Sequence, residues 1–150
     1  MKRRNIIILV ILVIAGIGAY IGYTKIKEST TDHSNRKADH FITASELIAA
    51  FDKDTALAAK TYIDHLVEVT GNVLKVDSSG SVVLGEEGEA SSVTVSLDRR
   101  HIEDHKKLQP GTQAVIKGIC TGYSKGNGDD LLASLGTTVE LNFASVQNKK

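Results

Sequence analysis

An unbroken apolar run opens the chain, and shorter segments with helical and then strand-like hydrophobic spacing follow it. Residues 6–22 are seventeen consecutive uncharged and almost wholly apolar positions, with basic residues on both sides. At ~1.5 Å per residue the run spans roughly 26 Å as a helix, close to the thickness of a hydrocarbon core. The pattern predicts a transmembrane helix at residues 6–23, preceded by a short tail at residues 1–5.

The flanks of this segment bear on its processing and orientation. A cleaved secretory signal is the alternative, but the run exceeds the ~7–15 residues usual for a signal, and its small-x-small site at residues 16–18 lies inside the run. Basic residues are nearly balanced on the two sides, while Lys2, Arg3 and Arg4 cluster at the N-terminus. We therefore expect a single-pass signal anchor with a cytoplasmic N-terminus and the domain outside the cytoplasm, on the periplasmic side.

Polar residues dominate the next segment, residues 24–42, which is rich in Ser, Thr, Asp and Lys. This composition predicts a flexible linker between the anchor and a domain at residues 43–150. His33 and His40 lie in the linker, where we expect no fixed geometry that would hold a metal.

From Thr43 the apolar residues recur three and four positions apart. Thr43 and Glu46 fit a capping box, in which each side chain satisfies a backbone N–H group of the first helical turn. The pattern pauses at residues 52–54 and resumes to about residue 62. It predicts either one bent helix or two short ones.

From Leu66 the hydrophobic period falls to two, which is typical of strands. Gly71 interrupts the first strand and predicts a bulge or tight coil where the strand passes from one side of a barrel to the other. Asp98 begins a charged segment that suits a short helix. The predicted strands cover residues 66–76, 81–86, 91–97, 112–122 and 131–146, the last with a break at Gly136.

This element order predicts a mainly β domain with some α-structure. It matches a five-stranded OB-fold barrel preceded by an N-terminal helix. With the anchor, the chain would combine one transmembrane helix and one small barrel.

Net charge separates the domain from the anchor. The whole chain has 18 basic and 18 acidic residues, but from residue 28 onward 13 basic and 18 acidic residues remain, a balance of −5. Such a domain is a poor generic binder of polyanions, since non-specific affinity for nucleic acid comes from Lys and Arg. The single cysteine, Cys120, excludes an internal disulfide and is expected to be a small buried residue.

Four stretches of sequence carry a family resemblance: ASELIAAF, AAKTYID, LVEVTGNV and QPGTQAVIKGICTGY. Together, over about residues 43–146, they resemble the bacterial OB-fold family called tRNA-anticodon-like, whose members are often small membrane-anchored or exported proteins. The most specific pieces, VEVTGNV and PGTQAVIKGICTG, are structural. The resemblance implies the fold and an extracytoplasmic setting, and it carries no activity over to individual residues.

The ligand site is predicted from the way OB-folds bind. They use the face of strands 2 and 3 and the loops that join strands 1 to 2 and 4 to 5. Near these loops Lys75, Lys117, Tyr123 and Lys125 are the candidate ligand-binding residues. Strands 2 and 3 contain no aromatic residue, Lys or Arg, so we expect a protein or peptide partner and not nucleic acid.

Two further sets of residues have metal-like spacing. His101 and His105 are four residues apart in the predicted helix, but two ligands make an incomplete zinc site on a highly charged segment. Asn127, Asp129 and Asp130 lack the full spacing of a calcium loop. We therefore expect no metal and no other cofactor.

These observations predict a membrane-anchored binding module without catalytic activity. An oligonucleotide- or oligosaccharide-binding OB domain is the first alternative, and a metal-dependent enzyme using His101 and His105 is the second. The anchor carries a GxxxG pattern at Gly18 and Gly22, which permits a homodimer within the membrane.

Overall fold

The computed structural model describes residues 32–126 and 136–147, most of which belong to the compact unit His33–Lys150. Within these ranges no helix is both long and apolar enough to cross a bilayer, and the predicted anchor at residues 6–23 lies outside them. The described elements, in chain order, are β1 (His40–Thr43), α1 (Ala44–Lys53), α2 (Thr55–Tyr62), β2 (Leu66–Val76), β3 (Ser81–Gly85), β4 (Ser92–Leu97), a 3₁₀ helix (Arg99–Lys107), β5 (Gln113–Lys125) and β6 (Thr137–Gln147).

Strand β2 closes the barrel because it pairs with different neighbours along its length. It is antiparallel to β5 from Leu66 to Asn72 and antiparallel to β3 from Asn72 to Val76. The remaining contacts are β3 with β4, β4 with β6 in parallel, and β6 with β5. The resulting ring of β2, β3, β4, β6 and β5 is the OB-fold topology, so the predicted five-stranded barrel is confirmed.

Gly71 lies next to the point where β2 changes partner. A Cβ atom at this position would lie 2.9 Å from the Cβ of Ala44 and 3.2 Å from the Cβ of Leu84. Both neighbouring atoms are attached directly to backbone, so neither can move away by side-chain rotation. The strand can therefore pass between the first turn of α1 and β3 only because residue 71 has no side chain. The bulge predicted at Gly71 lies further along β2, where the register with β3 shifts between Val73 and Lys75.

The core lies between α1 and the inward side chains of the barrel. Its largest fully buried members include Leu47 and Phe51 of α1 and Leu84, Ile116 and Leu141 of the strands. Removal of this apolar surface from water is the main favourable contribution to folding.

The two helices begin at polar caps. Thr43 Oγ1 accepts a hydrogen bond from the N–H of Glu46 (3.2 Å), and Glu46 Oε2 accepts one from the N–H of Thr43 (3.0 Å), so the capping box is confirmed. Asp54 Oδ1 accepts a hydrogen bond from the N–H of Leu57 (3.0 Å) and caps α2. The cap at Asp54 starts a second helix, so two short helices form instead of one bent helix.

An ordered N-terminal arm, residues 33–39, corrects the predicted linker. Lys117 Nζ donates a hydrogen bond to the carbonyl of Arg36 (2.7 Å), and the N–H of Leu66 donates to Asp39 Oδ2 (3.0 Å). The chain then continues into β1, which pairs in parallel with β2. The structured unit thus begins well before the predicted boundary at residue 43, because hydrogen bonds that hydropathy does not reveal hold this polar segment.

Two other elements differ in detail from the prediction. The charged segment after Asp98 is a 3₁₀ helix, whose first turn is capped by a hydrogen bond from the N–H of Arg100 to Asp98 Oδ1 (2.9 Å). Strand β5 continues to Lys125, three residues past its predicted end, because it stays paired with β6.

We predict that Gly71→Ala lowers the free energy of unfolding by about 1–3 kcal/mol, since the added methyl group overpacks the space against Ala44 and Leu84. Urea denaturation of the purified protein measures this change. Gly122→Ala is the matched control, because the nearest atom to a Cβ there is the carboxylate oxygen of Glu140 at 3.8 Å. Equal stability of the two variants would contradict the role assigned to Gly71.

We also predict that Lys117→Met releases the N-terminal arm. Loss of a charge-assisted hydrogen bond worth about 1.5–3 kcal/mol favours opening of the arm by roughly tenfold or more. Trypsin cleavage after Arg36 or Lys37, followed by mass spectrometry, reports this opening. Lys75→Met, at an exposed lysine on β2, is the control and should leave the cleavage rate unchanged. If Lys117→Met is also cleaved at the wild-type rate, the hydrogen bond from Lys117 to Arg36 does not hold the arm.

Candidate binding site

The outer face of β3 and β4 is small, neutral and rich in hydroxyl groups. The inward side chains of these strands are buried Val and Leu residues, so alternation turns Ser81, Val83, Ser92, Thr94 and Ser96 outward. This face is where OB-folds commonly bind extended ligands. It offers hydrogen-bonding groups but no aromatic ring on which a base would stack and no cation for a phosphate.

The turn at residues 77–80 borders this face and satisfies its own polar groups. Asp77 Oδ1 accepts hydrogen bonds from the N–H of Ser79 (2.9 Å) and the N–H of Ser81 (3.1 Å). The hydroxyl of Ser79 also donates to this carboxylate, and that bond is the main reason that the pKa of Asp77 is lowered. Gly80 completes the turn at φ +82°. Asp77 is therefore committed to shaping the turn.

The four predicted ligand-binding residues do not form one cluster. Lys75 lies opposite Val83, near the turn at residues 77–80, whereas Tyr123 lies on β5 beyond the end of its pairing with β2. Lys117 is only 7% exposed and holds the N-terminal arm, so it is unavailable to a ligand. Lys75 thus stands apart from the remaining pair, Tyr123 and Lys125.

Tyr123 and Lys125 meet at the C-terminal end of α1. The ring of Tyr123 is 39% exposed and lies 4.9 Å from the ring of Phe51, measured between centroids. Lys125 Nζ donates to the backbone carbonyl of Asp52 (3.0 Å), and Thr137 Oγ1 donates to Asp52 Oδ1 (2.6 Å). Asp52 therefore holds both ends of the β5–β6 connection.

The middle of that connection, residues 127–135, lies outside the described residues. The weak calcium candidates Asn127, Asp129 and Asp130 are part of it.

Two grooves flank the acidic loop, which we define as residues 86–89 between β3 and β4. The hydroxyl of Ser45 donates to Glu86 Oε1 (2.7 Å) and ties this loop to the start of α1. The smaller groove, of about 210 Å³, is lined by Ser45, Ile48, Ala49, Asp52, Glu86, Glu89 and Ser91. The larger, of about 650 Å³, is lined by Asn72, Val73, Leu74, Glu86, Glu87, Gly88, Glu89, Pro110 and Gly111.

Among the described residues that line the two grooves there is no Lys or Arg, so both grooves favour a cationic group over an anionic one. The prediction of site residues missed these grooves. The sequence signal was present in the run EEGE, but only the structure shows that α1 and the residues before β5 turn it into walls of grooves.

The two histidines of the charged segment have separate surroundings. His101 Nδ1 lies 3.9 Å from Asp104 Oδ2, and His105 Nδ1 lies 2.7 Å from the carbonyl oxygen of Ile102. Since a 3₁₀ helix has three residues per turn, side chains four apart differ by roughly 120° around the axis. His101 and His105 therefore do not lie on one face of the helix, although a spacing of four would bring them together on an α-helix. Among the described residues, no group of three or more His, Cys, Asp or Glu side chains is placed to hold a metal ion.

Cys120 is fully buried on β5, as its small-residue pattern predicted. Burial raises the pKa of its thiol to about 11, so the thiol stays protonated at neutral pH. A protonated, inaccessible thiol is a weak nucleophile, and its position indicates a packing role.

Two solved structures illustrate what this chain resembles. A lipoprotein from Klebsiella pneumoniae subsp. pneumoniae, provisionally described as nucleic acid-binding, superposes with a TM-score of 0.51 at 17% identity, over 71% of this chain and 91% of its own. The aspartyl-tRNA synthetase of Entamoeba histolytica aligns at 12% identity with a TM-score of 0.40, over 78% of this chain but 23% of the enzyme. At these identities the likeness concerns the fold alone. No protein with a curated description matches the sequence.

The sequence itself matches a family model over a long range. The model described as tRNA_anti-like covers residues 1–129, which includes both helices, the first three barrel strands and all of β5. The matched range starts earlier than the resemblance seen over residues 43–146. Because it covers well over half of the chain, the protein belongs to the tRNA_anti-like family.

Proposed function

We propose that this protein is a non-catalytic binding module, held outside the cytoplasm by an N-terminal membrane anchor, and that it captures a protein segment at the grooves beside the acidic loop. The observation that carries the proposal is the composition of these grooves. They are lined by Glu86, Glu87 and Glu89 together with apolar residues such as Ile48 and Leu74. A basic segment with an apolar side chain complements such a surface in both charge and polarity.

Electrostatics favour a protein ligand over a nucleic acid at these grooves. A phosphate backbone gains affinity by exchanging its counterions for Lys and Arg side chains, and the described part of the chain places none in the walls of these grooves. Three glutamates would instead repel it. The hydroxyl-rich face of β3 and β4 adds no stacking platform, so the two surfaces agree in disfavouring single-stranded nucleic acid.

The surroundings of His101, His105 and Cys120, the residues that could act in catalysis, support binding without catalysis. His101 and His105 do not share a helical face, and the pKa of the Cys120 thiol is raised to about 11. Attachment to the membrane is supported by the apolar run at residues 6–22.

The second candidate function is binding of an oligonucleotide or oligosaccharide, and Tyr123 is the observation that favours it. This half-exposed ring rests on Phe51 beside Lys125, at the connection between β5 and β6. An aromatic ring next to a cation is the usual platform for a base. The description of the Klebsiella lipoprotein as nucleic acid-binding points the same way.

We predict that a photo-crosslinking residue at Glu87 captures a protein partner in native membranes. Because attraction to the carboxylates drives this contact, Glu86→Lys combined with Glu89→Lys should reduce the yield several-fold. Quantitative immunoblotting of the crosslinked band measures it. Glu103→Lys reverses an exposed charge on the 3₁₀ helix and is the matched control. Equal yields in the reversed and control proteins would disprove the acidic grooves as the binding site.

We further predict that a mixed-sequence single-stranded 16-mer shows no saturable binding at low salt. Fluorescence anisotropy with protein up to about 100 μM, within the range of ordinary non-specific affinities, provides the measurement. Saturable binding that Tyr123→Ala weakens by about 1–3 kcal/mol would establish the second candidate in place of the first.

A further inference from the structure

We infer that the outer face of β1, β2, β5 and β6 rests on the headgroup region of the bilayer through Phe41 and Phe143. This inference rests on the membrane attachment in the proposed function and adds to it the orientation of the domain. It starts from the large hydrophobic side chains that remain exposed. Among the described residues these are Phe41 (61% exposed), Leu57 (62%), Tyr123 (39%) and Phe143 (36%).

Phe41 and Phe143 both lie on the outer surface of the barrel. Strand register places Phe41 opposite Glu68, Glu68 opposite Lys117, and Lys117 opposite Ser145, two residues after Phe143. Residues in direct register share a face of a sheet, and β1 and β6 are three strand spacings apart, roughly 14 Å. Both rings are exposed, so they lie on the outer surface of the barrel, on the two strands that flank Glu68 and Lys117.

The backbone at Phe143 is unusual for a bulky residue. Its φ is +53°, and it lies where β6 bulges against β5, between the pairs Lys117 with Ser145 and Ile119 with Asn142. Bulges turn side chains in new directions, and a positive φ is unfavourable for a residue with a Cβ atom. The bulge shifts the alternation of β6 so that Ala144 is buried in the core while the ring of Phe143 stays partly exposed.

The N-terminal arm crosses the same surface. Lys117, between the strands that carry the two rings, donates its hydrogen bond to the carbonyl of Arg36. The side chains of Arg36 and Lys37 are exposed there. The surface also carries Glu68, which is partly buried in the row between Phe41 and Lys117, while the carboxylate of Asp39 is bound to the N–H of Leu66.

Chain length then limits how far this surface can be from the membrane. The predicted anchor ends at residue 23 and the ordered arm begins at residue 33, so nine residues join them. Nine residues span at most about 32 Å even when fully extended. The arm is therefore the first folded part of the domain after the predicted anchor, and only a short segment separates the two.

The chemistry of this surface fits a phospholipid interface. Aromatic rings are favoured at the level of the headgroups, and Lys and Arg are attracted to anionic lipids. Phe41 and Phe143 would supply the apolar contact, while Arg36 and Lys37 would contact the phosphates.

The chain contains no tryptophan, so single substitutions give unambiguous fluorescent probes. The full-length protein carrying Phe41→Trp or Phe143→Trp is reconstituted into phosphatidylcholine vesicles with phosphatidylglycerol and brominated lipid. Both probes should show blue-shifted emission and about twofold or more stronger quenching by bromolipid than the control, since only they reach the interface.

Leu57→Trp is the matched control. Leu57 is as exposed as Phe41 but lies on α2. The ring of His40 contacts Tyr62 of α2 at 5.2 Å between centroids, and neighbouring side chains of a strand point to opposite faces, so Phe41 points away from α2. Arg36→Gln combined with Lys37→Gln should reduce quenching in vesicles with phosphatidylglycerol and leave it unchanged in phosphatidylcholine alone.

Vesicle flotation separates failure of the anchor from failure of this inference. Protein that does not float with the vesicles would contradict both the membrane anchor and the proposed orientation. Protein that floats, with equal quenching of Phe41→Trp, Phe143→Trp and Leu57→Trp, overturns the orientation and leaves the anchor standing. Blue-shifted emission that depends on protein density and resists bromolipid would mean that a second copy covers this face, which also overturns the inference. Phe143→Trp keeps the test decisive if Phe41→Trp does not fold.

Discussion

The whole domain depends on the close passage of β2 between its neighbours. One edge of this strand pairs with β5, while its other edge pairs first with β1 and then with β3. At Gly71, near the point of exchange, the first turn of α1 and β3 approach so closely that a methyl group would meet both. Since closure of the barrel leaves few strand edges open, the missing side chain also protects the fold from edge-to-edge association.

The features that sequence predicted correctly are governed by local backbone rules. Thr43 with Glu46, Asp98 and Gly71 each act through groups a few residues away or through the absence of a side chain, and each could be recognised from its neighbours. Strand β1 was missed because it has only four residues, and the N-terminal arm was missed because it is polar and is held by a contact between Lys117 and Arg36, 81 positions apart in sequence. Long-range polar contacts of this kind leave no periodic signal. The spacing of His101 and His105 was misleading for another reason. It would bring the two side chains together only on an α-helix, and the helix that carries them is a 3₁₀ helix.

The surfaces of the domain differ in charge and polarity. Carboxylates and apolar side chains line the grooves beside the acidic loop, hydroxyl groups cover β3 and β4, and the N-terminal arm carries two exposed cations shortly before the exposed ring of Phe41. An anchored module would need such a division, because the side that faces lipid and the side that meets a partner must attract different chemistry. Sequence alone identified Tyr123 and Lys125 as candidates near the loop that joins strands 4 and 5, but only the fold shows that Phe51 and Asp52 support them.

The hydrogen bonds of Asp52 determine which part of the domain can vary in length. Its backbone carbonyl and carboxylate hold Lys125 and Thr137, so the strand that leaves the barrel and the strand that returns are clamped to the same residue of α1. Because the entropic penalty of enlarging a closed loop grows by only about 0.6 kcal/mol for each doubling of its length, the segment beyond this clamp is free to differ in size and composition. The barrel can thus serve as a constant frame on which one connection is exchanged, while the residues that fold it stay the same.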